Sequence, residues 1–333
     1  MWALHNQTSF AADRAIVLDK DGARHWVVVV KGTFDLDPRG KVTPAKEQLA
    51  PLAAPEYAGK NGASSLRYEA DLVAAKPRTD VYLNATAHAP GGRPTTSMNV
   101  GLETPLGTKA IAVTGDRRWE RSLTGNLEPS RPLPFAIMPI VYERAFGGYD
   151  TLDPDPRKHT LYDRNPVGTG LASLRAQPGV LLPNLELPGR SPEAEPAGYG
   201  ALCGHWQPRA RFWGTYDAGW MEKRKPLLAV DYDPQALQCA PADQQVGPHL
   251  NGGEAFGVVN LTPSGSLGFA LPKHYFGFTT VIGRSRHEHR AKISTVVIEP
   301  DFPRVIVVWH TSLACHRQID DIDYTEIVEK PYV

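Results

Sequence analysis

The chain has 333 residues, and its 36 Lys and Arg balance its 36 Asp and Glu, so its formal net charge at pH 7 is zero. A chain without net charge has no long-range field to hold nucleic acid or an anionic bilayer, which excludes both as main partners. Hydrophobic residues at 41% and aromatic residues at 9% are typical of a folded globular protein and exclude a chain that is disordered throughout.

The N-terminal residues do not resemble a secretory signal, because no basic region is followed by an apolar stretch. Apolar runs such as residues 27–30 are far shorter than the roughly 20 residues that cross a bilayer. The three cysteines, Cys203, Cys239 and Cys315, are too few and too far apart for a disulfide framework or a Cys-x-x-Cys metal pair. We therefore expect a cytoplasmic protein without membrane insertion.

The first 120 residues predict β-structure. Residues 25–36 hold a β-branched run that ends in alternation. In residues 80–88, apolar and polar side chains alternate, which predicts a strand with one inward and one outward face. Residues 97–103 and 109–115 predict two shorter strands.

Strand patterns return near the C-terminus. Residues 255–262 and 266–272 flank a Pro-Ser-Gly turn, and residues 292–300 and 303–311 predict a buried hairpin. The best helical pattern is the short stretch 233–239. We expect a mainly β fold, with antiparallel β-sandwich-like sheets, long irregular connections and few short helices.

Between these regions, residues 121–225 are rich in Pro, Gly and Arg and show weak periodicity. Their many Trp, Tyr and Phe residues indicate an ordered segment, because linkers are poor in aromatic residues. The chain is predicted to be a single unit, with an N-terminal β portion (1–120), a loop-rich middle (121–225) and a C-terminal β portion (226–333) packed together.

The stretch "ERAFGGYDTLDPDPRKHTLYDRNPVGTGL" (143–171) concentrates acids and glycines, and we tested it for ligand sites. A calcium loop beginning at Asp153 would place Arg157 and Lys158 where a ligand and a glycine belong. A phosphate loop would need Gly-Lys-Ser/Thr or a third glycine before a helix, and neither follows residues 165–171. Neither site is favoured.

Catalysis by paired carboxylates has candidates in the same stretch, but Arg and Lys neighbours favour ion pairs or turn caps instead. These acids are Glu143, Asp150, Asp153, Asp155 and Asp163. No Gly-x-Ser-x-Gly nucleophile motif occurs in the chain. We predict no catalytic residues and no cofactor.

One pattern leaves a metal site open. In "RHEHR" (286–290), His287 and His289 share a face if the segment is extended, and His310 or His316 could approach from the next hairpin. Two histidines do not complete a zinc site, and the flanking charges favour a solvated turn. Whether a weak metal site exists there stays open at this point.

Several motifs, taken in order, resemble a known bacterial family. They include "VVVVKGTFDL", "KPRTDVYLNATAHAP", "VTGDRRWE", "MPIVYERAFGGYD", "RNPVGTGL", "LPNLELP" and "GHWQPRARFWGTYDAGW". The resemblance covers roughly residues 1–275. The family is encoded beside the spike proteins of type VI secretion systems, and its members are regarded as adaptors or chaperones that load toxic effectors onto the spike.

The resemblance implies a non-enzymatic cytoplasmic adaptor whose partners are an effector and the spike protein. The family's motif residues fall here on Lys31, Thr33, Phe34, Lys76, Pro77, Thr79, Asp80, Gly115, Arg117, Trp119, Arg144, Phe146, Gly147, Gly148, Asn165, Pro166, Gly168, Trp206, Arg209, Gly214, Tyr216, Trp220, Asp243, Gln244, Gly253 and Glu254.

Aromatic and arginine residues of the middle segment are the candidates for contacting a partner, because such side chains anchor protein interfaces. We predict a partner-binding set of Arg144, Phe146, Tyr149, Arg164, Asn165, Arg211, Trp213, Tyr216 and Trp220.

Two other interpretations stay open. The same residues could hold the irregular middle together, with Arg144–Asp163 and Arg209–Asp217 as internal ion pairs. The chain could also be a carbohydrate-active hydrolase or a carbohydrate-binding β-sandwich module, with Trp213 and Trp220 stacking on sugars.

Overall fold

A computed structural model of the chain describes residues 2–172, 177–191 and 195–331, and strands dominate it. The strands in chain order are β1 (Ala3–Asn6), β2 (Ala11–Leu18), β3 (Arg24–Leu36), β4 (Val42–Pro44), β5 (Glu56–Tyr57), β6 (Leu66–Tyr68), β7 (Thr79–Leu83), β8 (Thr86–His88), β9 (Ser97–Thr104), β10 (Gly107–Thr114), β11 (Trp119–Arg121), β12 (Leu127–Pro129), β13 (Ile137–Pro139), β14 (Phe146–Gly147), β15 (Tyr149–Asp150), β16 (Thr160–Leu161), β17 (Thr169–Gly170), β18 (Leu185–Glu186), β19 (Gln245–Val246), β20 (Ala255–Val259), β21 (Ser266–Ala270), β22 (Tyr275–Ile282), β23 (Ser285–Arg290), β24 (Lys292–Glu299), β25 (Arg304–Ala314) and β26 (Ile322–Lys330). The α-helix found in the described residues, α1, spans Ala218–Lys223. The mainly β fold class is confirmed.

The largest sheet has seven strands in the order β19–β7–β24–β25–β3–β2, with β4 paired to β3. Its pairings are antiparallel except for the parallel pair β7–β24. In β3, Val28 and Val30 belong to the main core, whereas Val27 and Val29 pack on the other face with Val308. Because both faces are covered, these strands are continuous apolar runs in the sequence.

Two further sheets complete the core. A four-stranded sheet has the order β1–β26–β22–β23, and a five-stranded sheet has the order β18–β10–β9–β20–β21. The indole N–H of Trp26, in the seven-stranded sheet, donates to Thr325 Oγ1 in the four-stranded sheet over 2.8 Å. One large apolar cluster contains residues of all three sheets. Strands from the N-terminal and C-terminal portions therefore share one core.

The sequence prediction for residues 80–88 is wrong in two respects. The strand is broken at Asn84 and Ala85 into β7 and β8, and every residue of β7 is buried. Tyr82, expected on an outward face, is 2% exposed. Strand β7 lies inside the sheet between β19 and β24, which cover its two edges. Residues 199 and 239–244 also hydrogen-bond to it, and the side chains on both of its faces are buried.

The predicted short helix at 233–239 is a 3-10 turn over Pro234–Leu237, which Asp233 caps by accepting a hydrogen bond from Gln235 N. The predicted hairpin near the C-terminus is confirmed as β24 and β25, which pair in antiparallel register from Glu299↔Arg304 onward. In the described part of the chain, no helix has the length and apolar character to cross a membrane.

The middle segment is ordered by contacts with distant residues. The Tyr199 hydroxyl donates to Val100 O and Lys109 O, on two strands of the five-stranded sheet, and the Tyr142 hydroxyl donates to Gly200 O. The rings of Tyr142 and Trp206 meet edge to face at 5.5 Å, and both residues are buried. These aromatic residues tie the segment, whose own strands and helix are short, to the rest of the fold.

Candidate protein-binding site

The buried polar residues of the sequence motifs form internal networks. The Lys76 ammonium donates to Asp80 Oδ2 at 2.8 Å and to Thr295 Oγ1 at 2.9 Å. Asp80 also accepts from Gln238 Nε2 at 2.7 Å and from two backbone N–H groups, those of Cys239 and Ala240. This pair ties β7 to residues 238–240 and to β24.

The protonation states of this pair follow from its contacts. Burial alone would raise the pKa of Asp80, but the Lys76 ammonium and the backbone donors outweigh it and lower that pKa. Burial would likewise lower the pKa of Lys76, and the Asp80 carboxylate raises it instead. Burial raises the pKa of the Cys239 thiol beside them. Lys76 and Asp80 are thus both charged and form a buried ion pair, and Cys239 is a neutral thiol.

A second network anchors the middle segment. Arg209 forms an ion pair with Glu69 and donates through Nε to Ala236 O and through Nη1 to Leu202 O. The expected partner Asp217 instead caps α1 by accepting from Trp220 N. The predicted pair Arg209–Asp217 is wrong, because the helix N-terminus supplies a local donor to the Asp217 carboxylate.

A third group of motif residues closes the loop around residues 143–171. Asn165 is fully buried and donates through Nδ2 to Tyr142 O at 2.8 Å and Phe146 O at 3.0 Å. Gly148 N donates to Asn165 O, and Tyr162 N donates to Gly148 O. A Cβ on Gly168 would lie 2.7 Å from Ala145 O, so only glycine permits this approach of the two motifs "ERAFGG" and "RNPVGTG".

The two ends of this loop carry a short exposed hairpin. Strands β15 and β16 pair Tyr149 with Leu161, which puts both side chains on one face. Tyr149 is 56% exposed and Leu161 is 53% exposed, and Leu152 between the strands is also exposed. The ring of His159 meets the ring of Tyr149 edge to face at 5.8 Å. We call Tyr149, Leu152 and Leu161 the hairpin surface.

The acids of the hairpin are held by their neighbours. Arg157 forms an ion pair with Asp155 at 2.8 Å, and Lys158 Nζ lies 3.9 Å from Asp153. Asp155 also caps the 3-10 turn Pro156–Lys158 by accepting from Arg157 N. The prediction that Arg and Lys neighbours hold these acids in ion pairs or turn caps is confirmed for Asp153 and Asp155.

Beside the loop lies a cleft of about 480 Å³ at which four motifs meet. Both carboxylates that line it are engaged. Glu143 accepts from the backbone N–H and hydroxyl of Ser65, while Asp116 pairs with Arg144 at 3.2 Å and accepts from Asn184. Arg144 therefore pairs with Asp116 and not with the predicted Asp163, which lies closer in sequence. The cleft does not present two free carboxylates for acid–base catalysis.

The nine predicted partner-binding residues differ in exposure, and two of them are buried. Phe146 and Asn165 are buried beneath the hairpin, Arg144 lines the cleft, and Tyr149 and Arg164 are exposed.

The remaining four lie near α1. Arg211 is exposed with its guanidinium 4.7 Å from the Phe212 ring, and Tyr216 is exposed against Trp220. The indole N–H groups of Trp213 and Trp220 donate to Gly204 O and Leu227 O.

Sequence reasoning missed Leu152 and Leu161. Both are ordinary leucines in a loop, and nothing in their local pattern distinguishes an exposed leucine from a buried one. The signal that could have found them is the two motifs on either side, whose glycines and Asn165 bring the ends of the hairpin together.

Of the histidines considered for a metal site, His287 and His289 lie on β23, as the extended segment predicts, and His310 lies on β25. The side chain of His316 lies outside the described part of the chain. His289 Nε2 contacts Thr280 Oγ1 at 2.8 Å, and its Nδ1 contacts Thr311 Oγ1 at 2.7 Å, so neither nitrogen is open to a metal. Across the described ranges, no group of three or more His, Cys, Asp or Glu residues is arranged to hold a metal ion.

Fold and site together define a mainly β protein with an irregular middle segment held by buried ion pairs. Residues 21–310 match the DUF2169 family, described as an uncharacterized protein conserved in bacteria. The chain belongs to this family. Searches of the curated proteins and of the solved structures each gave no match.

Proposed function

We propose that the protein is a non-enzymatic adaptor that binds a type VI secretion effector in the cytoplasm and assists its loading onto the spike protein. The observation that carries the proposal is the hairpin surface, where Tyr149 and Leu161 are exposed on one face and Leu152 is exposed between their strands, on a loop fixed from below. The ordered motifs of the sequence support the secretion context.

The hairpin surface suits protein binding for two reasons. Tyrosine and leucine side chains release water when a partner covers them, and a tyrosine presents a large rigid contact area with a polar tip. The base of the hairpin is tied by Asn165 and Gly148, so little conformational entropy is lost when a partner binds. Binding loops on rigid scaffolds are a common arrangement.

The burial of four polar motif residues also supports the adaptor proposal. Lys76, Asp80, Arg209 and Asn165 are all buried and hydrogen-bonded within the chain. Residues that are closed in this way maintain the fold and do not act on a substrate. The function is therefore assigned to the surface that they support.

Reconstitution from purified proteins tests the proposal. The full chain is mixed with the effector encoded beside it, with the spike protein, and with both, and complexes are resolved by size-exclusion chromatography with light scattering. We expect a binary complex with the effector and a larger assembly when the spike protein is added. Failure to form a complex with either protein would overturn the proposal.

A further inference from the structure

A small cavity of about 230 Å³ lies where the four-stranded sheet meets the seven-stranded sheet. Its ionisable lining residues are Lys76, His249, His289, Arg290, Lys292 and His310, and the others are one alanine, one threonine and one serine. No carboxylate lines the cavity. Three strands contribute to it: β23 supplies His289 and Arg290, β24 supplies Lys292, and β25 supplies His310.

The positive charge of this cavity comes from two cations. The Lys76 charge is offset by Asp80, to which it donates at 2.8 Å. In the part of the chain that the structure describes, neither Arg290 nor Lys292 makes a side-chain hydrogen bond or an ion pair. The Arg290 guanidinium lies 5.8 Å from the centre of the Tyr275 ring. Two cations beside a cavity without a carboxylate create a site that attracts an anion.

The histidines are oriented by backbone carbonyls, which accept hydrogen bonds and cannot donate them. His249 Nδ1 lies 3.0 Å from Ile293 O, and His310 Nε2 lies 2.8 Å from Val73 O. Each of these nitrogens therefore carries the proton in the neutral ring. The second nitrogen of each ring becomes a donor only when the ring gains another proton.

We propose that this cavity binds a small oxyanion, with the exposed Lys292 and, once its guanidinium turns from the Tyr275 ring, the exposed Arg290 as its charged donors. Charge-assisted hydrogen bonds from an ammonium and a guanidinium to an oxyanion are shorter and stronger than neutral ones. The Thr311 hydroxyl, which also lines the cavity, contacts His289 Nδ1 and helps to fix the polar wall.

The size of the cavity sets the class of ligand. Pockets for drug-sized molecules are roughly 300–1,000 Å³, and a water molecule takes about 30 Å³ of liquid volume. A cavity of about 230 Å³ therefore holds one ion with a few waters. The occupant is a free tetrahedral ion such as phosphate or sulfate, or a single carboxylate.

Anion binding is coupled to protonation of the histidines. Burial lowers the pKa of both His249 and His310. Nearby charges act in the same cavity: Lys292 lowers the pKa of His249, and Lys76 lowers that of His310 while Asp71 raises it. A bound anion favours the charged rings, so its affinity rises as the pH falls.

Titration with sodium sulfate tests the site, at ionic strength held constant with sodium chloride. The proteins compared are the full-length wild type, the double variant Arg290→Gln/Lys292→Gln, and Arg286→Gln as a matched control. Arg286 lies on the same strand but does not line the cavity. Calorimetry and thermal denaturation follow binding, since a ligand of the folded state stabilises it by RT ln(1 + [L]/Kd) and so raises Tm.

We expect saturable sulfate binding in the wild type and in Arg286→Gln, at least tenfold weaker in the double variant and tighter at pH 5.5 than at pH 7.5. A rise in Tm that is equal in all three proteins, without a saturable binding heat in calorimetry, is the general salting effect of sulfate and would overturn the site. So would wild-type affinity in the double variant. An unchanged Tm without sulfate verifies that the variants fold.

A parallel titration with sodium acetate identifies the occupant. Tighter binding of sulfate than of acetate assigns the cavity to a free tetrahedral ion. Tighter binding of acetate assigns it to a carboxylate such as an acidic side chain of a partner. Both outcomes support an oxyanion site, and binding of neither ion contradicts it. The site stands independently of the adaptor proposal, because the titration uses the protein alone.

Discussion

The interior of the protein and the hairpin that emerges from the middle segment differ in chemistry. Inside, charged side chains such as Lys76, Asp80 and Arg209 are buried and closed into pairs. Outside, the hairpin surface leaves Tyr149 and Leu161 open to solvent. The buried motif residues of this chain therefore maintain the fold, while Leu152 and Leu161, which are available to a partner, are unremarkable in sequence.

The strongest test of the interior is Asp80→Ala. The change removes the carboxylate that accepts from Lys76 and leaves a buried ammonium without its partner, which costs about 3–5 kcal/mol of the free energy of unfolding. Denaturation in urea measures the loss. Arg286→Ala is the control, since its contact with Glu326 at 3.8 Å is at the surface, and it should cost less than about 1 kcal/mol. Equal losses in the two variants would contradict the account of a closed interior.

The pH dependence of stability tests the same interior at His289. Burial, with a smaller contribution from His287, lowers the pKa of His289 to about 4, while an unfolded histidine has a pKa of about 6.5. The folded ring stays neutral where the unfolded ring binds a proton, so stability is complete above pH 6.5 and is lost as the pH falls toward 4.

Between pH 7 and pH 4 in chloride buffer, the wild type should lose roughly 3 kcal/mol more than His289→Gln. Urea denaturation at each pH measures both curves. Parallel curves for the two proteins would show that His289 is not held neutral in the folded state.

Asn165→Ala tests the joint between interior and hairpin. The alanine removes the side-chain donor to the Tyr142 and Phe146 carbonyls, of which Tyr142 O keeps the Ala145 N–H, and we expect a loss of about 2 kcal/mol. Amide hydrogen exchange should also become faster over residues 146–165, because the base of the hairpin is no longer tied. Unchanged exchange there would mean that Asn165 does not hold the loop.

The sequence predicts the sheets much better than the middle segment. The hairpin of β24 and β25 and the long strand β3 are β-branched runs, so local pattern and burial agree there. Ion-pair partners were predicted from proximity in the chain, and this failed for both arginines. Arg209 pairs with Glu69 and Arg144 with Asp116, and such long-range contacts are invisible to local reasoning.

The candidate site was predictable only in part. Tyr149 was chosen because tyrosine is common at interfaces, and its exposure fits that choice. Phe146 and Asn165 belong to the same predicted partner-binding set, but their side chains are buried beneath the hairpin and support it. Exposure depends on how the loop closes, and that closure depends on the approach of Gly168 to Ala145.

The central claim is that the hairpin surface binds the effector while the motif residues maintain the fold. The most direct measurement is the Kd of the effector for wild type, Tyr149→Ala/Leu161→Ala and the control Leu106→Ala, which alters an exposed leucine in the β9–β10 turn. We predict that the double variant binds at least tenfold more weakly, about 1.4 kcal/mol, with a free energy of unfolding within about 0.5 kcal/mol of wild type, and that the control binds normally. Wild-type affinity in the double variant would contradict the claim.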